Sequence, residues 1–169
     1  IDADETAAKV LHGQVYRWFP DRAFDNVLII GAGSGTDVGL ALARNAGHID
    51  AVEIDPVIAA IGREFHPERP YDDPRVDVHI DDGRAFVRRS TDRYDLIVFA
   101  LTDSLTLVTS TANVRLESFL FTKEAMASAR DHLTDDGVFL MYNHYREPWL
   151  VAKLRDMAGE VFGQEPLLR

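Results

Sequence analysis

The stretch Asn26–Asp37 reads NVLIIGAGSGTD and decides the fold. After Asn26, four apolar residues follow without a break at positions 27–30, which predicts a strand buried on both faces of a sheet. Glycines follow directly at positions 31, 33 and 35, and apolar residues recur at helical density from Val38 onward. A buried strand, a glycine-rich turn and a helix, in this order, indicate the first unit of an α/β fold with parallel strands.

The same alternation continues along the chain. Four further strands are predicted at residues 48–54, 76–80, 94–99 and 138–142, the last one after a turn at Asp136-Gly137. Helices are predicted between them, with Asp55 capping one and Thr122 beginning another that runs to Leu133. We therefore predict an α/β class protein with one doubly wound, mostly parallel sheet. It occupies residues 1–169 as a single domain, and residues 1–20 form an N-terminal helix.

Composition excludes several classes of function. Acidic residues outnumber basic ones 28 to 18, giving a formal net charge of −10, which argues against a nucleic-acid partner. The absence of cysteine excludes disulfides, thiolate metal sites and cysteine nucleophiles. The six histidines show no ligand spacing in the sequence, so we predict no metal. No apolar run approaches the ~18 residues of a membrane helix. The chain opens on Ile1, and we expect it to be a piece of a longer protein.

Three features fall at the carboxyl ends of predicted strands, where doubly wound folds bind ligands. The G-x-G-x-G loop at residues 31–35 allows a ligand close to the backbone, although a tight turn alone would also explain it. Glu53, about 20 residues further on, is placed to accept the hydroxyls of a ribose. Asp82, before Gly83, is placed to accept an adenine amine, or to cap a helix. Together they predict a pocket for S-adenosylmethionine or a close relative rather than NAD.

At this point the chain resembles the spermidine synthase branch of the class I methyltransferase-fold superfamily. The matching stretches are NVLIIGAGSG, AVEIDP, DPRVDVHIDDGRAFV, YDLIVF and LFTKEAMASARDHLTDDGVFLM, over about residues 26 to 141. The resemblance implies a Rossmann-like methyltransferase fold that lacks or truncates its last strands. It also implies that a set of residues lines the cofactor pocket: Gly31, Ala32, Gly33, Ser34, Gly35, Glu53, Ile54, Asp82, Gly83 and Ala100.

The catalytic half of the family pattern differs here. Spermidine synthases follow the fourth strand with D-S-S-D-P, and this chain reads Ala100-Leu-Thr-Asp103-Ser. Ala100 thus stands at the position of the family's first Asp. Asp103 stands at the position of the second Asp and is the predicted catalytic residue. Ser34 stands at the position where the family's glycine loop has an Asp. A polyamine is a multiple cation that needs several carboxylates, so these differences disfavour aminopropyl transfer. What remains resembles the spermidine synthase-like domains of longer, partly membrane-embedded bacterial proteins.

Three functions stay open. The leading hypothesis is a methyltransferase that uses S-adenosylmethionine on an unidentified small acceptor. The alternatives are an aminopropyltransferase that uses decarboxylated S-adenosylmethionine and a non-catalytic domain that senses a nucleoside ligand. The acceptor pocket is predicted from residues after the fifth strand and in the irregular segment before it: Tyr142, Asn143, His144, Tyr145 and Glu117. We expect a domain on the cytoplasmic side with no membrane contact of its own. An unpaired sheet edge is compatible with a homodimer.

Overall fold

The computed structural model describes residues 12–100, 120–143 and 148–168. Helices and strands alternate along these residues after a short first helix. The helices are α1 (Gln14–Trp18), α2 (Thr36–Ala43), α3 (Pro56–Phe65), α4 (Gly83–Arg89), α5 (Lys123–Asp131) and α6 (Pro148–Phe162), and Pro70–Asp72 forms a short 3-10 helix. The strands are β1 (Asn26–Ile30), β2 (His48–Glu53), β3 (Val76–Ile80), β4 (Tyr94–Ala100) and β5 (Leu133–Tyr142).

The five strands form one sheet in the order β3-β2-β1-β4-β5, and each pairing within the described residues is parallel. The first strand in the chain is therefore the central strand of the sheet. Val27 of β1 pairs with Ile49 on one side and with Leu96 on the other. This topology confirms the predicted doubly wound parallel sheet, and it brings the carboxyl ends of β1, β2 and β4 side by side.

Alternate residues of β1 bury into opposite faces of the sheet, as the pleat of a strand requires. Val27 and Ile29 pack in a cluster with residues of α1 and α2, whereas Leu28 and Ile30 pack in a cluster with residues of α4 and α5. All four side chains are at most 2% exposed.

Among the helices in the described parts of the chain, none is both long enough and apolar enough to cross a membrane.

Two helix starts follow the sequence prediction. Asp55 caps α3, because its Oδ1 accepts a hydrogen bond from the Val57 amide at 2.8 Å, and Pro56 occupies the first helical position. Thr122 caps α5 by accepting from the amide of Ala125 at 3.2 Å. These caps satisfy amide groups that no residue within the helix can pair with.

The structure corrects the prediction around β5. The turn predicted at Asp136-Gly137 is part of a continuous strand that begins at Leu133, and α5 ends before that residue, at Asp131. The pairing of Leu133 with Tyr94 extends the strand backward through an irregularity in the ladder. Tertiary pairing therefore overrides the local tendency of Asp-Gly to form a turn. Of the predicted N-terminal helix, the described part holds α1, and residues 1–11 lie outside it.

Candidate functional site

The glycine loop, residues 31–35, adopts a backbone that only glycine reaches without strain. Gly31 has φ +78° and Gly35 has φ +100°, both in the left-handed region. A Cβ atom on Gly31 would lie 2.5 Å from the carbonyl oxygen of Ala100, and one on Gly35 would lie 2.8 Å from Cγ of Pro70. The loop therefore packs directly against the end of β4 and against the 3-10 helix.

Backbone hydrogen bonds fix this loop to the neighbouring strand. The amides of Gly31 and Ala32 both donate to the carbonyl of Val52, at 2.9 and 3.0 Å. From the other side, the Tyr71 hydroxyl donates to the carbonyl of Gly33 at 2.7 Å. Burial raises the pKa of the Tyr71 hydroxyl above its usual range, so this group stays protonated and remains a donor. The loop is thus held in place before any ligand arrives.

Glu53 lies directly against the glycine loop, as the sequence analysis expected. Its side chain is 5% exposed. Oε2 accepts a hydrogen bond from the Gly33 amide at 2.8 Å, and Oε1 accepts one from the Asp55 amide at 2.9 Å. A carboxylate oxygen can accept a second hydrogen bond, so each keeps capacity for a ligand hydroxyl. Ile54, next in the chain, is 47% exposed and offers an apolar surface at the same edge.

The two residues of the predicted adenine site, Asp82 and Gly83, both have structural roles after the end of β3. Oδ1 of Asp82 accepts from the Ala85 amide at 2.9 Å, so Asp82 caps α4. This is the alternative that the sequence analysis left open for this residue, and the cap uses only one of its two oxygens. A Cβ on Gly83 would lie 2.2 Å from Cγ2 of Ile30, so close packing on β1 already requires glycine there. Contact of either residue with adenine stays a prediction.

Sequence reasoning missed a glycine that supports the loop from outside. Gly62 lies within α3, and a Cβ there would lie 2.5 Å from the backbone oxygen of Ser34. The helix therefore packs its backbone against the glycine loop. A glycine inside a helix is the sequence signal for such a close approach, since it otherwise destabilises the helix by about 1 kcal/mol.

A second missed feature is a buried polar cluster behind the glycine loop, formed by His12, Asp37 and Tyr142. Asp37 belongs to the first turn of α2 and is 8% exposed. The Tyr142 hydroxyl donates to its Oδ2, and Nδ1 of His12 lies 3.0 Å from the same oxygen and 2.7 Å from the hydroxyl. Burial and the Asp37 charge raise the pKa of Tyr142 far above its usual range. The cluster ties α2 to the end of β5.

The residues predicted for the acceptor are only partly described. Tyr142 and Asn143 line a groove of about 1180 Å³ on the outer side of β5, between α1 and α6. This groove shares no residue with the glycine loop or with Glu53. The predicted catalytic residue Asp103 lies outside the described residues, and so do three of the predicted acceptor residues: Glu117, His144 and Tyr145.

Structure comparison shows the fold. The chain superposes on spermidine synthase in complex with the transition-state analogue AdoDATO, with a TM-score of 0.73 and 24% identity, covering 89% of this chain and 51% of that one. It also superposes on human methyltransferase-like protein 13 in complex with SAH, with a TM-score of 0.68 and 20% identity, covering 98% of this chain and 75% of that one. Both similarities confirm the predicted methyltransferase-like architecture.

Sequence comparison shows the family. The model of the spermine/spermidine synthase domain matches residues 19–158. The polyamine aminopropyltransferase of Agathobacter rectalis is 36% identical over 151 residues, covering 85% of this chain and 48% of that protein. The one from Alkaliphilus oremlandii is 34% identical over 135 residues, covering 78% and 44%. The chain thus spans about half the length of these relatives, and it belongs to the spermine/spermidine synthase domain family.

Proposed function

We propose that this chain binds decarboxylated S-adenosylmethionine at the carboxyl edge of its sheet and acts in the transfer of the aminopropyl group to an amine. The observation that carries the proposal is the direct contact between the glycine loop and Glu53, in a chain whose relatives are polyamine aminopropyltransferases. Because the chain spans about half of those relatives, the activity and substrates of the whole protein are part of the proposal. The location on the cytoplasmic side, which was expected from the sequence, is likewise part of the proposal.

The described residues fit an adenosyl ligand in three places. Glu53 presents a carboxylate whose free lone pairs suit two ribose hydroxyls. Asp82 keeps one oxygen that the helix cap does not use, which suits the exocyclic amine of adenine. Gly33 has φ +58°, and a Cβ there would meet nothing closer than 3.9 Å, so its backbone faces open space that a ligand tail can enter. Ile54 adds an apolar surface for the base.

The chemistry asks little of the protein beyond positioning. The lone pair of a neutral amine forms a bond to the carbon next to the sulfonium sulfur, and the C–S bond breaks with its electron pair going to sulfur. The leaving group is a neutral thioether, methylthioadenosine, which needs no acid. The new ammonium then loses a proton to a base or to water. Holding the amine in line with the breaking bond can contribute about 7–11 kcal/mol.

The transfer also requires a residue that positions the amine and accepts its proton. The position of the family's first Asp is Ala100, which is 3% exposed at the end of β4 and cannot bind a cation. Asp103, three residues later, is therefore proposed as the carboxylate that holds the amine and takes its proton. Asp103→Asn is expected to lower turnover while leaving binding of the adenosyl ligand unchanged.

Methyl transfer from S-adenosylmethionine is the second candidate, and one observation favours it. Ala100 and Ser34 stand where the family has carboxylates, so two groups suited to a polyamine cation are replaced. The named relatives support aminopropyl transfer better, since they are polyamine aminopropyltransferases. A methyltransferase would release S-adenosylhomocysteine rather than methylthioadenosine, so the two products separate the candidates.

The deciding experiment incubates the chain with either sulfonium compound and with putrescine, and identifies the nucleoside product by mass spectrometry. Methylthioadenosine that depends on putrescine would support the proposal. S-adenosylhomocysteine formed with a mixture of small acceptors would favour methyl transfer instead. Binding of both compounds without any product would contradict a transferase and leave the nucleoside-sensing alternative.

Matched variants test the pocket itself. Glu53→Gln is expected to weaken binding of the adenosyl ligand by about ten- to hundredfold, because hydrogen bonds to a charged acceptor contribute about 1.5–3 kcal/mol. Glu64→Gln makes the same chemical change on an exposed position of α3 and is expected to bind like the parent chain. Equal affinities for the two variants in calorimetric titration would refute the ribose role of Glu53.

A further inference from the structure

Two histidines and two aspartates meet on one face of the sheet, away from the glycine loop. His48 and Asp50 lie two residues apart in β2, and Asp77 and His79 lie two residues apart in β3. Side chains two apart in a strand point to the same face. The parallel register places Asp50 directly opposite Asp77. Four potential metal ligands are thus gathered at neighbouring positions of two strands.

The distances within this cluster suit a small divalent cation. Nε2 of His48 lies 3.4 Å from Oδ2 of Asp50 and 3.9 Å from Oδ2 of Asp77. Each of the three residues offers one ligand atom that lies within 4.8 Å of those of the other two. A tetrahedral zinc ion with bonds of about 2.0–2.1 Å separates its ligand atoms by roughly 3.3 Å. Small movements of the exposed His48 and Asp77 side chains toward Asp50 would bring the three atoms to zinc-binding distances.

The buried member of the cluster is already held in one orientation. Asp50 is 5% exposed. Its Oδ1 lies 2.7 Å from Nε2 of His79, and its Oδ2 accepts a hydrogen bond from the Tyr94 hydroxyl at 2.9 Å. Metal-binding carboxylates are typically fixed by outer hydrogen bonds of this kind. Asp50 is thus set in place as a ligand by residues of β3 and β4.

Charge also points to a cation. Carboxylates directly opposite each other on adjacent strands repel, and burial of Asp50 strengthens that repulsion. Within the described residues, the ion pairs of Asp50 and Asp77 are made with His48 and His79, which carry charge only when protonated. A divalent cation would neutralise both carboxylates while the histidines stay neutral.

We propose that His48, Asp50 and Asp77 bind a zinc ion, with water as the remaining ligand. The side chains of His48 and Asp77 are 43% and 69% exposed, which gives the ion a path from solvent. His48 precedes Glu53 by five residues, so the two sites lie roughly 16 Å apart along β2. The zinc ion would join the edge strand β3 to β2, and this role does not depend on the proposed transferase activity. This proposal differs from the sequence analysis, which predicted no metal, because the H-x-D and D-x-H segments come together only through the register of β2 and β3.

The test uses the tag-free 169-residue chain after chelator treatment. Zinc is titrated in competition with a chromophoric indicator, and cobalt is titrated separately for its visible spectrum. The expected result is one zinc ion per chain, a tetrahedral cobalt spectrum and a higher melting temperature with zinc. His48→Gln and Asp77→Asn are each expected to lower zinc affinity at least tenfold.

The control variant is His66→Asn. His66 lies outside the cluster, and its Nδ1 accepts from the Glu68 amide at 3.2 Å, a hydrogen bond that an Asn side chain can also accept. This variant is expected to bind zinc like the parent chain. Asp77 is largely exposed and lies opposite another carboxylate, so Asp77→Asn without metal should melt no lower than the parent does, and its lost affinity then reflects a lost ligand. Less than one zinc per chain, or equal affinity in all three variants, would leave only a histidine–aspartate ion-pair cluster and overturn the proposal.

Discussion

Alanine at Gly62 is expected to destabilise the protein, whereas alanine at Gly159 is expected to stabilise it. Both glycines lie inside helices, Gly62 in α3 and Gly159 in α6. In an unobstructed helix, alanine is favoured over glycine by about 0.8–1 kcal/mol. A Cβ at Gly159 would lie 3.7 Å from the nearest atom outside its own helix backbone, which is ordinary contact. The two variants share one chemical change and differ in their surroundings.

The opposite sign at Gly62 follows from the distances to the glycine loop. A Cβ there would lie 2.5 Å from the oxygen and 2.7 Å from Cα of Ser34, both backbone atoms that cannot rotate away. Ordinary contacts between carbon atoms lie at about 3.5–4.0 Å, so α3 must move outward by close to 1 Å. Overpacking of this kind costs about 1–3 kcal/mol. The gain in helix propensity offsets about 1 kcal/mol of that, which leaves a net loss of about 0–2 kcal/mol.

Urea unfolding of both variants measures the difference, with the m-value showing whether the unfolding transition itself has changed. The free energy of unfolding of Gly62→Ala should fall about 1–3 kcal/mol below that of Gly159→Ala, which corresponds to several degrees in melting temperature at this chain length. S-adenosylhomocysteine should also bind more weakly to Gly62→Ala, because an outward shift of α3 removes its close packing against Ser34 of the glycine loop. If Gly62→Ala proves as stable as Gly159→Ala, the packing of α3 on the loop is wrong.

Three further predictions concern single hydrogen-bonded groups. Hydrogen bonds from Arg75 lower the pKa of Asp73 to about 2. Because this folded-state pKa lies below the unfolded value of about 3.9, the pair stabilises the fold above about pH 4. The stabilisation is lost as the pH falls toward 2. NMR titration of Arg75→Gln should raise the Asp73 pKa toward its ordinary range, because the guanidinium hydrogen bonds are lost while the backbone amide of residue 75 still donates; an unchanged value would contradict the assignment. Tyr142→Phe should lower the free energy of unfolding by about 1–3 kcal/mol in urea, since Asp37 loses a buried donor. Tyr71→Phe should cost about 1 kcal/mol and weaken S-adenosylhomocysteine binding in calorimetry; unchanged affinity would show that the loop does not need this hydroxyl.

Local pattern was sufficient to predict most of the fold. The segments at residues 26–30 and 76–80 became β1 and β3 with the predicted bounds. Prediction failed where a distant partner decides the structure. Asp136-Gly137 has the sequence of a turn. In the folded sheet, however, Gly137 belongs to β5 next to β4, and a Cβ on it would lie 2.9 Å from the carbonyl oxygen of Tyr94.

The same distinction applies to the candidate site. The location of Gly33 and Glu53 at one edge of the sheet was predictable, because Gly33 follows β1 and Glu53 ends the adjacent strand β2 at the expected spacing, whereas their hydrogen bond was not predicted. The hydrogen bond between Asp37 and Tyr142 joins residues 105 positions apart, and no local pattern marks that pairing. The cluster around Asp50 likewise requires the register between β2 and β3, which a single sequence does not specify.

The position of β1 has a consequence for how the chain folds. Among the described strands, Asn26–Ile30 is synthesised first, yet it lies in the middle of the sheet, and its neighbour β4 begins about seventy residues later. Since every strand pairing described here is parallel, no hairpin can form early, and each contact waits for a crossover through a helix. One side of this buried strand therefore stays unpaired while β2, α3 and β3 are made. We expect slow folding, and the nascent chain is most prone to aggregation before β4 emerges from the ribosome.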